Sequence, residues 1–433
     1  MRIANLPADI GDCSCGMRHT CVIKCVEYGR GAVEAIPEIL KEYKNIILIS
    51  DDNTYRACGE RVYALLSGFE VTNLVLHRGG VLIPNEEAIA EVNEHFTDKI
   101  EIIVGVGSGV INDLCKYVSF NAKLPYMIVA TAPSMDGYAS VGAAMITDGM
   151  KVTYNAHTPT YIVGDTDVLK DAPMDMIRSG VGDILGKISC LNDWKLSHII
   201  NGEHFCEMIY NMVAEEIENS KRDIDAVQER DADSIERLFH SLIMVGIGMS
   251  YMGNSRPASG SEHHLAHFYE IVNIIKDKPY FPHGTDVAYG TLASCTISHL
   301  LASRDPATFA RVHNEDAWNS EIERVYTEIA DSIKALQAKV GFYATDRLPT
   351  IVAKWGEIKA TLLSVPSGDE ITDMLTRLGL PIDEYKKMYG RDMIRDSVEF
   401  AKDLKDRYTL LWLANDAGLL REYANIYTAK LFG

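Results

Sequence analysis

The sequence predicts a protein of two parts, a parallel α/β domain followed by an all-helical domain. Between about residues 22 and 165, short apolar runs alternate with amphipathic segments, which is the pattern of a parallel sheet flanked by helices. After residue 167 the β-branched runs become rare and a helical periodicity replaces them. We therefore expect an α/β domain over residues 1–165 and a helical domain over residues 166–433.

The individual elements follow from the positions of the apolar runs. In the first domain we expect four strands, over residues 46–50, 70–77, 102–106 and 126–130. The amphipathic segments between them predict three helices, over residues 53–66, 86–95 and 110–120. In the second domain, helical patterns cover residues 176–197, 203–219, 231–250, 317–339 and 392–413.

The composition is that of an ordinary globular protein. Of the 433 residues, 47% are hydrophobic and 24% charged, and the formal net charge of −19 disfavours nucleic acid as a partner. No apolar run approaches the ~20 residues that cross a bilayer, and the N-terminus lacks the apolar stretch of a secretory signal. The nine cysteines are mostly scattered singly, which favours reduced thiols. We therefore expect a cytoplasmic protein without a membrane span.

A glycine-rich turn follows the third predicted strand. Residues 104–113 read VGVGSGVIND and pass from the strand through glycines into a helix. Glycines let the backbone approach a pyrophosphate, and the free N–H groups at the helix start favour its negative charge. Asp51, at the end of an earlier strand, could accept hydrogen bonds from a ribose, and it could also cap the next helix. The two features together favour a dinucleotide site over a plain tight turn.

A second polar segment follows the fourth predicted strand. Residues 130–140 read ATAPSMDGYAS and offer hydroxyl groups, a carboxylate and irregular backbone. Ligands of open α/β sheets bind just past the strand ends, which is where this segment lies. A turn rich in Pro, Ser, Asp and Gly is the structural alternative.

The helical half carries a carboxylate and a group of histidines. Asp183 lies near the start of a predicted helix, where an ion pair with Lys187 one turn later would explain it equally well. His263 and His267 lie on one helical face, and His283 follows in a Pro-His-Gly sequence. One Asp and two His can bind a divalent metal and leave a coordination position open. Asp183, His263 and His283 could do so if their helices converge.

Three segments stand out for their specific residues: 130–140, the stretch SRPASGSEH over 255–263, and PHG over 282–284. Together they resemble the sn-glycerol-1-phosphate dehydrogenase family, which belongs to the iron-containing alcohol dehydrogenase and dehydroquinate synthase superfamily. The resemblance covers about residues 22–295, and the opening CSCG over 13–16 is similar to the bacterial branch. It implies a Rossmann-like α/β domain before an all-α domain, with NAD or NADP, one divalent metal (zinc or nickel) and a homodimer.

The resemblance also implies roles for individual residues. The metal ligands would be Asp183, His263 and His283, and the groups that contact substrate and catalyse would be Asp183, Asp136 and His267. The cofactor would be held by Asp51, Gly107, Ser108, Gly109, Val110, Ile111, Thr131, Ala132, Pro133, Ser134 and Ser140. The metal would polarise the C2 carbonyl of dihydroxyacetone phosphate, and hydride from the nicotinamide would give sn-glycerol 1-phosphate. His267 and Asp136 would orient the hydroxyl groups and pass the proton.

Two assignments stay open on the sequence alone. The family motif has a second His one turn after the ligand, which selects His263 over its neighbour His264. We expect His264 at the surface or beside a ligand, although it could replace His263. For the substrate phosphate, Arg256 and Lys187 are the nearest cations in sequence, and Arg256 could instead tie down its own loop.

Other functions fit parts of the pattern. A glycerol or other polyol dehydrogenase would keep the metal and cofactor residues, and only the stretch SRPASG over 255–260 argues against it. An enzyme of the dehydroquinate-synthase type usually has Glu where this chain has Asp183. A cofactor-sensing protein without activity would usually have lost a ligand or a proton-relay group, and all of these are present here. The choice between NAD and NADP and the native metal stay open.

Cysteines crowd the first 25 residues, where Cys13, Cys15, Cys21 and Cys25 accompany His19. A Cys-x-Cys without a second well-spaced pair is not a standard zinc pattern, and the segment precedes the first clear strand. The sequence therefore disfavours a structural zinc there, and the role of the segment stays open. The region from about residue 301 to 433 carries no chemical motif, and we expect it to complete the helical domain and add dimer surface.

Overall fold

The structure is a computed structural model that describes residues 2–3, 9–80, 82–147 and 150–433. Its contacts divide the chain into two compact units. The first comprises Met1–Val181 and Glu218–Ser255, and the second comprises Gly182–Ile217 and Arg256–Gly433. Among the described residues, no helix is both long and apolar enough to cross a membrane.

The strands of the described residues all lie in the first unit. In chain order they are β1 (Arg2–Ile3), β2 (Asp9–Ile10), β3 (His19–Thr20), β4 (Cys25–Gly29), β5 (Asn45–Asp51), β6 (Glu70–Leu76), β7 (Ile102–Gly107), β8 (Tyr126–Ala130), β9 (Gly142–Thr147), β10 (Met150–Asn155) and β11 (Tyr161–Asp165). Seven of these described strands form one sheet in the order β1-β4-β11-β8-β7-β5-β6. Its neighbouring strands run parallel except β1, which is antiparallel to β4. The remaining strands form two antiparallel pairs, β2 with β3 and β9 with β10.

Burial explains the apolar runs of the sheet. Leu48, Val104 and Met127 stand in register across β5, β7 and β8 and belong to one buried cluster. Because the strands are covered on both faces, their sequences are nearly continuous in apolar residues instead of alternating. The parallel arrangement also brings the carboxyl ends of β5, β7 and β8 to the same edge of the sheet.

The helices of the described residues dominate the rest of the chain. They are α1 (Ile36–Ile39), α2 (Asp52–Thr54), α3 (Glu60–Leu65), α4 (Glu86–Glu94), α5 (Gly109–Ala122), α6 (Thr166–Leu169), α7 (Met174–Asn201), α8 (Glu207–Gln228), α9 (Ala232–Met252), α10 (Ser261–Ile275), α11 (His283–Ala302), α12 (Glu315–Tyr326), α13 (Ala330–Val340), α14 (Leu348–Ala353), α15 (Trp355–Leu362), α16 (Gly368–Arg377), α17 (Ile382–Phe400), α18 (Leu410–Asp416) and α19 (Leu420–Phe432). Helix α11 is buried around nearly its whole circumference, which marks it as the central helix of the second unit.

The predicted fold class is confirmed, with local differences. The four predicted strands correspond to β5 to β8, but β4 and β11, which complete the sheet beside β8, were not predicted individually. Both are only five residues long and contain glycine. The predicted helix over 317–339 is wrong as a single element, because Thr327 has φ +41° and separates α12 from α13. The predicted helix over 53–66 is interrupted by a π-helical turn, Tyr55–Gly59.

Helix α9 belongs with the sheet although it follows residue 165 in sequence. A side chain at Gly164 of β11 would overlap the ring of Phe239 on α9. Gly246 of the same helix lies against Ala139, in the 3-10 helix Asp136–Ala139. These close contacts explain why the compact units differ from the predicted ranges 1–165 and 166–433.

Candidate active site

Three side chains from three helices of the second unit meet around one point. Asp183 of α7, His263 of α10 and His283 at the start of α11 each offer a ligand atom, and these atoms lie within 4.8 Å of one another. The distance from His263 Nε2 to Asp183 Oδ1 is 3.6 Å. Asp183 and His263 are buried, whereas the side chain of His283 is 30% exposed. The convergence that the sequence could not establish is therefore present.

Close helix packing produces this convergence. A side chain at Gly182 would overlap the carbonyl oxygen of Gly284, so glycine lets the α7 backbone touch the start of α11. In the same way, Gly290 of α11 lies against the backbone of Glu262 at the start of α10. Each contact lies beside a ligand residue in sequence. The missing Cβ atoms thus bring the backbones that carry the three candidate donors close enough together for one small ion.

Two buried carboxylates fix the orientation of the histidine rings. Glu262 Oε1 accepts from His263 Nδ1 at 2.7 Å, and Glu270 Oε1 accepts from His283 Nδ1 at 2.7 Å. Because an ionised carboxylate can only accept, each Nδ1 carries the proton and each Nε2 keeps its lone pair. A carboxylate behind a histidine in this way is the usual support of a metal ligand. Sequence reasoning did not identify either glutamate, although Glu270 lies one helical turn after His267.

The electrostatics hold Asp183 and His263 in the protonation states that a metal would require. Burial is the largest single effect and would raise the pKa of Asp183, but the positive charges of Lys187, His263 and His283 and the hydrogen bond from Lys187 together outweigh it, so the net pKa lies below its ordinary value. Burial, followed by the charge of Lys187, lowers the pKa of His263 well below its ordinary value. Asp183 is therefore ionised and His263 neutral near pH 7. A carboxylate and neutral imidazoles are suitable donors for a divalent transition metal.

A second set of donors overlaps the first. His267, Glu270 and His283 also place one ligand atom each within 4.8 Å. In this set, however, Glu270 already accepts from both rings, since its Oε2 lies 3.1 Å from His267 Nδ1. Glu270 thus acts as the common acceptor behind His267 and His283, and the candidate set Asp183, His263 and His283 would use the Nε2 atoms on the opposite side of the two candidate ligand rings. In His267 the hydrogen bond to Glu270 puts the proton on Nδ1 and leaves the lone pair on Nε2.

His264 does not lie at the surface, so that part of the expectation was wrong. Its side chain is buried on the other side of α10, because helical geometry turns consecutive residues by about 100°. The two candidate phosphate cations are also engaged elsewhere. Lys187 donates to Asp183 at 2.7 Å, and Arg256 donates to Glu203 and to the carbonyl of Tyr408. Arg256 therefore ties down its loop, which is the alternative considered from the sequence.

The glycine-rich turn lies in the first unit at the carboxyl end of the sheet. A side chain at Gly107 would overlap Ile111, so the chain turns tightly from β7 into α5. Ser108 at the start of α5 forms no side-chain cap with the helix, which leaves the N–H groups of the first turn directed past the strand ends. Asp51 caps α2 by accepting from the N–H groups of Asn53 and Thr54 at 3.0 and 2.8 Å. Its structural role is therefore established.

The segment 130–140 is held by a lysine that sequence reasoning missed. Lys116 of α5 is fully buried, and its Nζ donates to the carbonyls of Gly137 and Gly142 at 2.9 and 2.7 Å. Ser140 Oγ lies 3.3 Å from the same ammonium group. The segment, which also carries Asp136, is thereby fixed to α5. The sequence signal that could have identified Lys116 is its position on an otherwise apolar face of the predicted helix.

The parallel α/β sheet followed by a helical domain is the fold of the iron-containing alcohol dehydrogenase class, and the candidate donors Asp183, His263 and His283 agree with it. The family model described as iron-containing alcohol dehydrogenase matches residues 27–173. Among solved structures, glycerol dehydrogenase from Schizosaccharomyces pombe superposes with a TM-score of 0.60 at 16% identity, over 94% of this chain and 90% of that one. At that identity the likeness concerns the fold.

Curated relatives narrow the class to one family. Glycerol-1-phosphate dehydrogenase [NAD(P)+] from Halalkalibacterium halodurans is 33% identical over 305 residues, which are 69% of this chain and 76% of the relative. The protein of the same name from Bacillus licheniformis is 28% identical over 425 residues, 96% of this chain and 95% of the relative. The chain belongs to the glycerol-1-phosphate dehydrogenase [NAD(P)+] family, whose members are NAD(P)-dependent oxidoreductases.

Proposed function

We propose that the chain interconverts sn-glycerol 1-phosphate and dihydroxyacetone phosphate with NAD or NADP and one divalent metal. The observation that carries this proposal is the set Asp183, His263 and His283, with a carboxylate behind each imidazole. Oxidation of the C2 hydroxyl of glycerol 1-phosphate gives dihydroxyacetone phosphate, which is a ketone. The reaction in the relatives' name therefore suits a metal site that polarises a ketone oxygen.

The donor set fits zinc or nickel, which we propose as the native metal. One carboxylate oxygen and two imidazole nitrogens give the ion a net charge near +1 and leave coordination positions open. When bound, the metal would supply a Lewis acid for the C2 oxygen. Glu262 and Glu270 would keep the two rings in the ligating tautomer. Lys187 would stay beside Asp183 and limit the negative charge at the site.

His267 is proposed to move the proton of the C2 hydroxyl. Burial first, and then the charge of Lys405, lower the pKa of His267 to about 3, so the ring is neutral near pH 7. Its Nδ1 donates to Glu270, and Nε2 can therefore accept the hydroxyl proton during oxidation and return it during reduction. Asp136 would orient the other hydroxyl groups of the substrate.

Cofactor binding is proposed for the carboxyl edge of the sheet in the first unit. The N–H groups at the start of α5, over residues 107–111, would receive the pyrophosphate. The segment 131–134 and Ser140, held in place through Lys116, would line the nicotinamide side. Asp51 already accepts two backbone N–H groups through one oxygen, Oδ1, which leaves Oδ2 for a ribose hydroxyl.

For the substrate phosphate we propose Lys405 and Arg407 in place of Arg256 and Lys187. The positive charge of Lys405 contributes to lowering the pKa of both His264 and His267, so this cation lies beside the histidine cluster. Arg407 donates to the carbonyl of Ser259, in the loop that precedes α10. Both side chains are partly exposed, which a phosphate ligand requires.

We also propose that the protein is a cytoplasmic homodimer. Thiols at all nine cysteine positions support a reducing compartment. Exposed hydrophobic side chains in the C-terminal region, such as Val312, Val352 and Leu363, support a further contact surface. Sedimentation of an active species at the monomer mass would contradict the dimer.

The decisive experiment follows NAD(P)H oxidation by the metal-loaded protein with dihydroxyacetone phosphate and, in parallel, with dihydroxyacetone. We expect rapid turnover of the phosphate ester, sn-glycerol 1-phosphate as product, and loss of activity on chelation. Turnover of dihydroxyacetone alone would instead indicate a glycerol or other polyol dehydrogenase on the same metal site. The variant Lys405→Ala should raise KM for the phosphate ester at least tenfold and leave any turnover of dihydroxyacetone unchanged.

A further inference from the structure

A second group of metal-binding side chains lies in the first unit, close to the start of the chain. Cys13, Cys15 and His19 place their Sγ and ring nitrogen atoms within 4.8 Å of one another. The distance between Cys15 Sγ and His19 Nε2 is 3.2 Å. These residues share no ligand with the Asp183 site, and nothing in the proposed reaction uses them.

The backbone is folded around the two thiols. Gly16 N donates to the carbonyl of Cys13 at 2.9 Å, and Gly16 has φ +81°, so the chain reverses tightly between the cysteines and His19. Met17 N donates to Cys15 Sγ at 3.4 Å. An N–H group directed at a sulfur atom stabilises the thiolate, which is the form that binds metal. His19 itself is fixed in β3, where it pairs with Ile10 of β2.

The tautomer of His19 is settled by a contact on its far side. His19 Nδ1 lies 2.9 Å from the carbonyl oxygen of Tyr251, and the ring is fully buried. A carbonyl oxygen can only accept, so Nδ1 carries the proton and Nε2 presents its lone pair toward the cysteine sulfur atoms. The arrangement repeats the support seen behind the histidines of the active site, with a backbone carbonyl in place of a carboxylate.

Cys21 shows the contrast between this group and an ordinary buried thiol. It lies only two residues beyond His19, but it is buried in the core and does not belong to the group. Burial raises the pKa of the Cys21 thiol, so it stays protonated. Cys13 and Cys15 are both partly exposed, so a metal can reach them.

We propose that Cys13, Cys15 and His19 bind a thiophilic divalent metal, zinc, at a second site separate from the catalytic metal. Two thiolates and one imidazole are soft donors that select zinc over magnesium, calcium or manganese. These three residues leave one position of a tetrahedron for a further ligand. The metal would tie the turn over residues 13–19 to α9 through the His19–Tyr251 hydrogen bond. The Cys-x-Cys spacing alone disfavours zinc, and the structure adds His19 as the third donor that this spacing lacks.

Metal content and cobalt spectroscopy of the full-length protein test the proposal. Loaded with zinc and freed of excess, the protein should hold two zinc ions per chain, whereas Cys13→Ala, Cys15→Ala and His19→Gln should each hold about one. Loaded with cobalt, it should show a thiolate-to-cobalt charge-transfer band that Cys15→Ala removes and Asp183→Asn retains. The matched control Cys58→Ala, a buried thiol outside both groups, should keep both ions and the band.

The outcomes separate the two metal sites. One zinc per chain in the unaltered protein, or no thiolate band, would overturn the proposal, as would a band that survives Cys15→Ala. A disulfide between Cys13 and Cys15 under reducing purification, found by mass spectrometry, would also overturn it. Because Cys15→Ala could unfold the segment, Cys15→Ser serves as the conservative variant. This variant should lose the charge-transfer band, while its far-ultraviolet circular dichroism spectrum stays unchanged.

Discussion

Glu270 offers the sharpest test of the active-site geometry. It is 1% exposed and accepts from two rings at once, from His283 Nδ1 at 2.7 Å through Oε1 and from His267 Nδ1 at 3.1 Å through Oε2. In the variant Glu270→Gln only one oxygen remains, and the amide N–H₂ group must face the other ring. One imidazole then changes tautomer or turns away. If it is His283, its Nε2 becomes protonated and no longer binds metal.

The size of the effect follows from the role of such carboxylates. Loss of a carboxylate behind a ligand histidine typically weakens metal binding about 10- to 100-fold, which is roughly 1.4–2.7 kcal/mol. If His283 is the disturbed ring, we expect Glu270→Gln to lower metal affinity in this range, and if it is His267, we expect a lower kcat/KM at saturating metal. Glu262→Gln, behind His263 alone, should weaken metal binding and leave metal-saturated turnover nearly unchanged.

Competition with a chelating dye measures metal affinity, and steady-state kinetics with excess metal measures turnover. Thermal unfolding of both variants separates a local change from a general loss of stability. If Glu270→Gln keeps metal affinity and metal-saturated kcat/KM within twofold of the unaltered protein, Glu270 does not orient the two rings and the reasoning fails.

Three further predictions concern packing, the cofactor loop and pH. Gly182→Ala forces α7 away from Gly284 and should lower metal affinity. It should also lower the free energy of unfolding by about 1–3 kcal/mol, measured by thermal or denaturant unfolding. The control Gly356→Ala, which has open space around it, should leave stability unchanged or raise it. Lys116→Met releases the segment 130–140 and should raise KM for NAD(P)H about tenfold, with a smaller change in kcat. An unchanged KM would contradict the proposal that Lys116 fixes this segment for cofactor binding. Burial raises the pKa of the Asp193 carboxyl from 3.8 to about 7. Between these two values the folded protein holds a proton that the unfolded chain has lost, and the folded protein loses this proton as the pH rises through about 7. Stability to denaturant should therefore fall between about pH 4 and pH 8, by up to ~4 kcal/mol, and Asp193→Asn should flatten that dependence.

The sequence by itself determined the elements whose cause is local. Buried parallel strands such as β5 and β7 are visible because both faces require apolar residues, and the turn over residues 104–113 is visible because only glycines permit it. The segments 130–140, 255–263 and 282–284 carried enough specific residues to indicate the family. On that resemblance the sequence predicts Asp183, His263 and His283 as metal ligands.

Only the tertiary structure decided which side chains meet. Asp183 and His283 are 100 positions apart in sequence, and their contact depends on the close approach of two helices at Gly182, which no local pattern encodes. The same reason applies to Glu270 behind His283 and to His19 beside Cys15, since each pairing is fixed by backbone packing and by a hydrogen bond on the far side of the ring. Local propensity specifies helices and turns, whereas the donors of a metal site are selected by long-range packing.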